Sequence, residues 1–498
     1  MDGKDTPEAG QGTKREDVEE FWLEHSKAAT VEEMMLDSQS TVLDKLERPE
    51  ILKLLGSVEN GNVLELGAGI GRFTTELART AKSVHALDFM KTFIDANKVA
   101  TGKFSNVTHE CSNVMSCDYE ANSFDIVFSN WLLMYLSNSD AKTLIQKILT
   151  WLTPNGKLFF RESCFGQSGD RKRKTNPTNY RNPREYFAFL DNAEVKLEDG
   201  TFASFQLEFC RSVDSYVQLK HNQNQLCWSL KKVVSSEGRS PEFREFLDKQ
   251  QYNRNGILRY ERIFGEGFVS TGGPDTTKEF IAQLDLKPSD VVLDIGCGIG
   301  GGDFLMADTY GCKVHGMDLS VNMVTIALER SRSRSNDLVT FEISDCTTRD
   351  FDEESFDVVY SRDTILHIQD KPALFKRLLA FMKPGGRLLI SDYCRAETEP
   401  TAEFAAYIAQ RGYDLHSPSI YGKMLEDAGF VDVVAEDRTD LFETSLRKEL
   451  ALVEAEKDDY IQSFSQADYD AVTGGWKDKL GRLDQQRWGV FTARKANA

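Results

Sequence analysis

Short apolar segments recur along the chain, each followed by a turn or by a longer segment of helical length. Four of them, "NVLEL", "SVHALDF", "FDIVFSN" and "GKLFFRE", have the length and apolar content of buried strands. Four similar segments, "VVLDI", "KVHGMDL", "FDVVYSR" and "GRLLISD", follow in the same order later in the chain. Strands that alternate with helices predict an α/β fold with a mostly parallel, doubly wound sheet in each half.

The two series of strands keep a nearly constant spacing. Glu65 and Asp294, the acids of the first strand in each series, lie 229 positions apart, and Asp125 and Asp357 in the two "SFD" segments lie 232 apart. The chain is therefore interpreted as two copies of one domain, far longer than the repeat of a solenoid. The expected parts are a disordered tail at 1–15, an N-terminal domain at 16–234, a linker at 235–245 and a C-terminal domain at 246–498.

The composition of the chain mainly argues against certain classes of partner and site. With 60 basic and 79 acidic residues the formal net charge is −19, which disfavours nucleic acid and anionic lipid surfaces as partners. No apolar run reaches the roughly 18 residues of a membrane span, and the N-terminus resembles neither a signal peptide nor a transit peptide, so a cytoplasmic protein is expected. The nine cysteines form no CxxC pair, so neither a disulfide framework nor a metal site is expected.

A glycine-rich turn follows the first strand of each half, in "LELGAGIG" and "LDIGCGIG". Glycine lets backbone N–H groups approach a nucleotide-like ligand, and an acid at the end of the next strand can accept both hydroxyls of a ribose. Each acid alone could cap a helix, but the whole combination occurs twice. The residues are Glu65, Gly67, Gly69 and Asp88 in the first half, and Asp294, Gly296, Gly298 and Asp318 in the second.

This order of acids and glycines resembles the class I S-adenosylmethionine-dependent methyltransferases. The resemblance implies a Rossmann-like domain in each half, S-adenosyl-L-methionine as cofactor, S-adenosyl-L-homocysteine as its product, and no metal. It also implies a residue that reads the adenine amino group, Asp345 in the second half and Asn113 in the first. Asn113 can accept a hydrogen bond through its amide oxygen but carries no charge, which leaves the cofactor affinity of the first half open.

Longer stretches resemble a narrower family. "QQYNRNGILRYERIFGEGFVSTGG", "YSRDTILHIQDKPALF" and "AAYIAQRGYDLH", with "SNWLLMYL" and "FFRESCFGQSGDRKRKTNPTNYRNPREY" in the first half, are similar to plant-type phosphoethanolamine N-methyltransferases. The resemblance implies a tandem enzyme that converts phosphoethanolamine through its mono- and dimethyl forms to phosphocholine, for choline and phosphatidylcholine synthesis. The first half would add the first methyl group and the second half the other two. A monomer that phosphocholine can inhibit is expected.

The same resemblance assigns roles in the second half. Tyr252 and His367 match the pair that closes over the acceptor and assists proton removal, and Asp363 matches the carboxylate near the acceptor nitrogen. The matching phosphobase contacts are Gln251, Tyr393, Arg411, Tyr413 and Lys479. The further matching cofactor contacts are Val269, Ser270, Cys346 and Arg362.

These residue types suit the chemistry on independent grounds. An aliphatic amine is mostly protonated near neutrality, like Lys at about 10.4, so some group must accept a proton before the nitrogen can attack. Histidine can do so, Arg and Lys hold a phosphate, and aromatic faces attract a methylammonium by roughly 0.5–2 kcal/mol. Taken singly, a histidine on an apolar helix face is more often a core residue, and a single Arg or Lys is more often solvated.

The first half carries a different set at the matching positions. Trp131 and Tyr135 stand where the second half has Asp363 and His367, and Ser163 stands for Tyr393. The residues expected near the acceptor are His25 and Ser26, with Tyr180 and Arg181 for the phosphate and Val114 for the cofactor. The basic run at 171–174 is open to three interpretations: phosphate steering, a solvated loop, or a nuclear-import or nucleic-acid patch.

Two other functions remain open from the sequence. The first half could be a non-catalytic cofactor-binding or regulatory module, because it has Asn113 and lacks the Tyr–His pair. The acceptor could instead be a sterol, a quinol or glycine, for which Arg411 and Lys479 would be unnecessary. The sequence does not fix the oligomeric state, the coupling of the halves, channelling of intermediates or the proton acceptor of the first half.

Overall fold

The computed structural model describes residues 15–171, 173–334 and 337–497. The chain forms two compact units, which divide between Pro241 and Glu242. The predicted disordered tail lies outside the described residues except for Arg15, which begins the first helix. The predicted linker contains the point of division, and its last residues already belong to a short helix that begins at Phe243.

The first unit contains eight helices and eight strands within its described residues. In chain order these are α1 (Arg15–His25), α2 (Val31–Met35), α3 (Ser40–Leu55), β1 (Asn62–Leu66), α4 (Thr74–Leu77), β2 (Ser83–Asp88), α5 (Lys91–Thr101), β3 (Val107–Cys111), β4 (Phe124–Asn130), α6 (Asn138–Trp151), β5 (Leu152–Ser163), α7 (Pro183–Leu190), β6 (Glu194–Lys196), β7 (Phe202–Ser212), α8 (Asp214–Lys220) and β8 (Gln225–Ser235). Short 3-10 helices lie at Val114–Ser116 and Leu133–Tyr135.

Its sheet has the strand order β7-β8-β5-β4-β1-β2-β3. Strands β3, β2, β1, β4 and β5 are parallel, whereas β8 and β7 continue the sheet antiparallel and β6 pairs with β7. The chain order reverses between β1 and β4, and ligands bind such sheets in the crevice at that point. Four of the five residues of β1 are buried, as expected for a central strand covered by helices on both faces.

The second unit contains eleven helices and seven strands within its described residues. These are α9 (Phe243–Phe246), α10 (Arg254–Phe264), α11 (Gly273–Ala282), β9 (Val291–Ile295), α12 (Gly301–Tyr310), β10 (Lys313–Asp318), α13 (Val321–Ser331), β11 (Val339–Ile343), β12 (Phe356–Arg362), α14 (Lys371–Phe381), β13 (Met382–Arg395), α15 (Ala402–Arg411), α16 (Pro418–Ala428), β14 (Val431–Asp437), α17 (Thr439–Ala455), α18 (Lys457–Ser463), α19 (Gln466–Gly481) and β15 (Gln486–Arg494). A π-helical turn follows α9 at Leu247–Gln251, and a 3-10 helix spans Ile365–His367.

The sheet of the second unit repeats this plan, with the order β14-β15-β13-β12-β9-β10-β11. Strands β13, β12, β9, β10 and β11 are parallel, and β15 and β14 are antiparallel. The α/β fold with a mostly parallel, doubly wound sheet in each half is therefore confirmed.

Several absences bear on the sequence predictions. Across the described ranges, no helix combines the length and apolarity needed to cross a membrane. The nine cysteines are free thiols. No group of three or more His, Cys, Asp or Glu in the described part of the chain is arranged to hold a metal ion.

Candidate active sites

In the second unit, the carboxylate at the end of β10 organises the glycine-rich turn. Asp318 accepts hydrogen bonds from the backbone N–H of Gly298 at 3.0 Å and of Ser320 at 2.8 Å. Gly296 adopts a φ of +78°, and a Cβ there would lie 2.0 Å from the hydroxyl of Thr364. The turn therefore needs glycine both for its conformation and for space.

The first unit builds the same turn from its own residues. Asp88 accepts from the N–H of Gly69 at 2.9 Å and of Met90 at 2.8 Å. Burial raises the pKa of Asp88 to about 6 and that of Glu65 to about 8. One carboxylate oxygen of Glu65 is buried and has no hydrogen-bond partner among the described residues. Such a group is costly unless a ligand satisfies it, which fits a bound cofactor with polar hydrogen atoms.

In the second unit, the same pair of acids is also buried. Burial raises the pKa of Asp318 to about 6 and, with the nearby Asp303, raises the pKa of Asp294 well above its usual range. Both carboxylate oxygens of Asp303 are buried without a partner in the residues that the structure describes. A group of neighbouring carboxylates of this kind marks a candidate ligand site.

A cavity of about 520 Å³ opens at this turn in the second unit. Most of the residues predicted for this half line it. They are Tyr252, Val269, Ser270, Asp294, Gly296, Gly298, Asp318, Asp345, Cys346, Arg362, Asp363 and His367. Gln251, Tyr393, Arg411, Tyr413 and Lys479 do not line this cavity.

Asp363 follows β12 in a left-handed conformation with a φ of +50°, which is strained for a residue with a side chain. One of its oxygens accepts from the indole N–H of Trp488 at 2.8 Å and from the hydroxyl of Ser391 at 3.1 Å. The other oxygen is buried and unpartnered among the described residues. Burial raises the pKa of Asp363, and the Arg362 charge opposes that rise. The free oxygen is suited to face a cation.

His367 ends the 3-10 helix next to Asp363. Its Nδ1 is buried and has no hydrogen-bond partner within the described ranges. Its ring meets that of Tyr413 edge-on at 5.1 Å and that of Phe243 at 5.9 Å. Burial lowers the pKa of His367 to about 4, and the charges of Lys371 and Arg411 add to the effect. The imidazole is therefore neutral at pH 7, and its Nδ1 is open to a hydrogen-bond partner from a ligand.

Tyr252 follows the π-helical turn, and the amide of Asn322 fixes its backbone by donating to its carbonyl at 2.9 Å. Burial raises the pKa of its phenol, so the hydroxyl keeps its proton near neutrality. Gln251, the preceding residue, belongs to the π-helical turn.

The predicted phosphate residues gather next to Asp363 and His367. The ammonium of Lys479 lies 3.5 Å from the Tyr393 hydroxyl, and the Tyr393 hydroxyl lies 3.3 Å from that of Thr271. Arg411 lies over the ring of Tyr407 at 5.8 Å. Burial lowers the pKa of Lys479 to about 8. These contacts bring together cations and hydroxyls from four separate segments of the second unit.

Two neighbours of this cluster were missed by the sequence interpretation. Arg482 lies over the Tyr407 ring at 4.0 Å, and its charge adds to the lowering of the Lys479 pKa. Phe243 lines the cavity and contacts His367. Neither residue lies in a recognisable sequence motif, because its place at the site depends on contacts with segments far away in the sequence.

Arg362 lines the cavity, but its guanidinium is largely engaged within the protein. It donates to the Thr277 hydroxyl at 2.6 Å, the Thr271 carbonyl at 2.8 Å, the Thr276 hydroxyl at 3.1 Å and the Ser391 hydroxyl at 3.3 Å. Four of its five N–H donors are thus used, three to join β12 to the segment at the start of α11 and one to join it to β13.

The first unit has a smaller cavity of about 160 Å³ at the equivalent place. Of the residues predicted for this half, it is lined by Gly67, Asp88, Asn113, Val114, Trp131, Tyr135 and Tyr180. Glu65, Gly69, His25, Ser26 and Arg181 do not line it. Ser26 is buried, and His25 is held through its Nδ1 at 2.7 Å from the carbonyl of Phe21.

Trp131 occupies the position of Asp363 and has the same left-handed conformation, with a φ of +59°. Its indole N–H donates to the Gln225 side chain at 2.7 Å, and the Gln225 amide donates in turn to the hydroxyls of Ser163 and Ser168. Ser163 and Gln225 pair across β5 and β8, as Tyr393 and Trp488 pair across β13 and β15. The tryptophan and its hydrogen-bond acceptor have therefore exchanged places: the tryptophan follows β4 in the first unit and lies in β15 in the second.

Arg181, predicted to hold a phosphate, makes its hydrogen bonds within the protein. Its guanidinium is buried and donates to the Leu133 carbonyl at 2.8 Å, the Leu136 carbonyl at 2.6 Å and Asn138 at 2.9 Å. These bonds clamp the 3-10 helix that carries Tyr135. Arg173, from the basic run at 171–174, lines the cavity instead.

A buried carboxylate that the sequence interpretation missed holds the same 3-10 helix. Glu162 accepts hydrogen bonds from the backbone N–H groups of Leu132, Leu133 and Met134 at 3.1, 2.7 and 3.2 Å. Burial raises the pKa of Glu162 to about 7.

The two residues predicted to bind the adenine amino group, Asp345 and Asn113, differ in which side-chain group has no hydrogen bond within its own turn. Asp345 accepts from the backbone N–H of Thr347 at 2.8 Å and from its hydroxyl at 2.6 Å through one oxygen, leaving the second oxygen. Asn113 accepts from the N–H of Met115 at 2.9 Å through its amide oxygen, which leaves its NH₂ group. The free group is thus an acceptor in one unit and a donor in the other.

Comparisons with known proteins agree with this architecture. Two family models, each described as a methyltransferase domain, match residues 63–156 and 286–429. The chain is 54% identical over 486 residues to a phosphoethanolamine N-methyltransferase of Triticum aestivum, covering 97% of this chain and 96% of the relative. It is 53% identical over 488 residues to phosphoethanolamine N-methyltransferase 1 of Arabidopsis thaliana, covering 97% and 98%.

A solved structure extends the similarity to three dimensions. Haemonchus contortus phosphoethanolamine N-methyltransferase 2, in complex with phosphomonomethylethanolamine and S-adenosylhomocysteine, superimposes with a TM-score of 0.76 at 28% sequence identity. The superposition covers 91% of this chain and 99% of that chain.

Proposed function

The chain belongs to the phosphoethanolamine N-methyltransferase family, and we propose on that premise that it methylates phosphoethanolamine three times to give phosphocholine. S-adenosyl-L-methionine is the methyl donor. The observation that carries the proposal is a single continuous arrangement in the second unit. A glycine-rich turn, a free carboxylate oxygen, a neutral histidine and the cations Lys479 and Arg411 lie together there.

The cofactor site is proposed to be the turn of each unit. The turn requires glycine because neighbouring side chains pack closely against it: a Cβ on Gly69 would lie 2.1 Å from the Met34 side chain, and one on Gly298 would lie 2.9 Å from that of Val269. Asp88 and Asp318 would receive the ribose hydroxyls. The bound cofactor supplies an electrophilic methyl group, and the protein supplies the binding and the orientation.

In the second unit, the phosphate of the acceptor would be held by Lys479, Arg411 and the Tyr393 hydroxyl. The acceptor nitrogen would then face the free oxygen of Asp363, next to His367. A buried carboxylate stabilises a methylated ammonium, and the neutral imidazole can take the proton that the nitrogen must lose. Tyr252, with its proton retained, would donate a hydrogen bond that orients the acceptor. This half is therefore assigned the second and third methylations.

The first unit is assigned the first methylation. Where the second unit has a carboxylate, it has the neutral chain of Trp131, Gln225 and Ser163, and its cavity is smaller. A small primary amine needs less space than its dimethyl form, and it forms hydrogen bonds of its own. The cytoplasmic location, the monomeric state and inhibition by phosphocholine stay predictions from the sequence.

The test is a product time course with each half inactivated in turn in the full chain. Asp318→Ala removes the two backbone hydrogen bonds that shape the second turn, and Asp88→Ala does the same in the first. We expect the Asp318→Ala chain to stop at the monomethyl product. The Asp88→Ala chain should ignore phosphoethanolamine yet convert the mono- and dimethyl forms. Formation of phosphocholine by the Asp318→Ala chain would refute the division of steps.

A further inference from the structure

We propose that Glu47 is a positioning residue of the first unit, which fixes the indole of Trp131 in the cavity wall through the guanidinium of Arg161. The inference deepens the proposed function and rests on it, since it takes Trp131 to lie beside the acceptor of the first methylation. Neither Glu47 nor Arg161 lines the cavity, so both would act through Trp131 and not by contact with the acceptor.

Glu47 is a carboxylate on the buried face of α3, where its neighbours include Leu43 and Ile51. A buried charge is stable only when it is paired and hydrogen-bonded. Arg161 donates to one carboxylate oxygen of Glu47 through Nη1 at 2.5 Å and to the other through Nη2 at 3.2 Å. Burial alone would raise the pKa of Glu47, but the charges of Arg161 and Arg72 outweigh it and hold the pKa below its usual range. Glu47 is therefore ionised near neutrality.

Arg161 holds Trp131 in two ways. Its guanidinium lies over the indole ring at 4.0 Å, and its backbone carbonyl accepts from the Trp131 N–H at 2.9 Å. Its own plane is set from the other side, because its Nε donates to Asn130 at 2.6 Å. The left-handed backbone conformation of Trp131 persists only where the surrounding structure fixes it. Arg161 thus supports both the backbone of Trp131 and one face of its ring.

A second arginine joins the same carboxylate to the glycine-rich turn. Arg72 directly follows this turn, and its Nη2 donates to Glu47 at 2.5 Å while its Nε donates to Asp44 at 2.7 Å. Its guanidinium also lies over the Trp131 ring, at 5.9 Å. Glu47 therefore connects the turn proposed to bind the cofactor with the wall proposed to face the acceptor. Because Arg72 has a further partner in Asp44, loss of Glu47 should disturb the wall more than the turn.

The second unit distributes the corresponding charges differently. Its arginine, Arg362, lies on β12, and Ser391 on β13 takes the position of Arg161. The charge of Arg362 acts on Asp363, which belongs to the cavity wall itself. In the first unit the carboxylate that balances the arginine lies behind the wall, on Glu47. The first unit can therefore keep a buried arginine next to its tryptophan without a carboxylate at the position of Asp363.

The experiment uses the full chain with Asp318→Ala, so that formation of monomethyl product reports on the first unit. Glu47→Asp keeps the charge but shortens the side chain, and Glu47→Gln removes the charge. A paired variant, Glu47→Leu with Arg161→Met, removes both charges, because replacing a buried ion pair with apolar residues often leaves a protein folded. Glu76→Gln, which removes an ion pair with Arg79 in the same unit, is the matched control.

The kcat and KM for phosphoethanolamine, the Kd of S-adenosyl-L-homocysteine and the Tm are measured for each variant. The setting of the ring is measured directly from the indole N–H signals of protein labelled with ¹⁵N-tryptophan. The chain has six tryptophans, and Trp131→Phe identifies the signal of Trp131 by its loss. This signal needs no turnover, so it is independent of the proposed activity.

We expect the paired variant to keep its Tm within about 4 °C of the parent and its cofactor Kd within about threefold. Its kcat for the first methylation should fall about ten- to hundredfold, because a shift of about 1 Å at the reacting groups can cost about a hundredfold. In Glu47→Asp, where Arg161 is intact, the Trp131 signal should shift while the other five stay in place. Glu47→Asp should lose less activity than Glu47→Gln, and Glu76→Gln should match the parent.

A folded paired variant with an unchanged kcat, or an unchanged Trp131 signal in Glu47→Asp, would overturn the inference. So would a shift of all six indole signals together with a lower Tm and weaker cofactor binding, which would indicate a structural role. If the parent forms no monomethyl product, the assignment of the first step is wrong. The Trp131 signal of Glu47→Asp then decides the Glu47 inference alone: a shift confined to Trp131 supports it, and an unchanged signal refutes it.

Discussion

Replacing Asn113 by Asp should strengthen cofactor binding in the first unit. The amide oxygen of Asn113 already accepts from the Met115 N–H, so the carboxamide is oriented with its NH₂ group away from that turn. In the proposed site the adenine amino group would meet this NH₂, donor against donor. Aspartate keeps the capping oxygen and replaces the NH₂ with an acceptor, as Asp345 does in the second unit.

The size of the effect follows from the exposure of the site. A hydrogen bond to a charged group contributes about 1.5–3 kcal/mol when it is shielded from water. Asn113 is exposed, whereas Asp345 is half-buried, so solvent screening reduces the gain at Asn113. We expect about 1–2 kcal/mol, which is a Kd for S-adenosyl-L-homocysteine about five- to thirtyfold lower. The reciprocal change, Asp345→Asn, should cost the second unit at least as much.

The assay is isothermal titration of S-adenosyl-L-homocysteine into the full chain, with the cofactor site of the other unit disabled. Asp318→Ala isolates the first unit for Asn113→Asp, and Asp88→Ala isolates the second for Asp345→Asn. Asn113→Ala serves as the control, because it removes both the cap and the amide. If Asn113→Asp binds no more tightly than its parent while Asp345→Asn binds as tightly as its own, the reasoning on donors and acceptors is wrong.

Three further changes test other parts of the proposed site. His367→Ala should lower kcat for the mono- and dimethyl acceptors about a hundredfold, while the first methylation, followed as monomethyl product, keeps its rate; equal losses in all steps would contradict the role. Arg411→Ala and Lys479→Ala should each raise the KM for the dimethyl acceptor about ten- to hundredfold and leave cofactor Kd unchanged, whereas an unaffected KM would favour an acceptor without a phosphate. Glu65→Gln tests the effect of burial on Glu65. Burial raises the pKa of Glu65 to about 8 in the folded protein, above the ordinary 4.5. The folding stability that the protonated carboxyl contributes is therefore fully present below about pH 4.5 and is lost as pH rises through about 8. In thermal unfolding of the ligand-free protein, the variant's Tm should exceed the parent's by about 2 °C or more at pH 9 and match it near pH 5; a constant difference would exclude titration of Glu65.

The sequence was sufficient where the signal is local. The strands, the glycine-rich turns and the acids Asp88 and Asp318 are each specified within a few residues, because strand burial and left-handed glycine conformations constrain neighbouring positions. The two methyltransferase domains and the family were predicted from such stretches, and both are confirmed by the comparisons.

The sequence failed where the environment of a side chain is set by distant segments. Arg181 and Arg173 are the same residue type in one loop, and only the fold places carbonyl groups around the first and a cavity next to the second. Trp488 and Gln225 reach their sites through antiparallel strands far along the chain from the residues they contact. No local pattern marks them, since each belongs to a strand in which most of the neighbouring residues are also buried.

The exchange of tryptophan and acceptor between the two units gives a physical basis for the proposed division of the reaction. In the second unit the indole N–H of Trp488 donates to one oxygen of Asp363 and leaves the other without a partner among the described residues. In the proposed third methylation this carboxylate would stabilise the nitrogen, which becomes permanently cationic. In the first unit the indole N–H of Trp131 meets a neutral amide whose own donors are also used. A fixed charge there would hold a protonated primary amine as its unreactive ammonium form and disfavour release of the proton. The neutral network carries no such charge, so the proposed difference between the units is that only the second places a carboxylate beside the permanently cationic product.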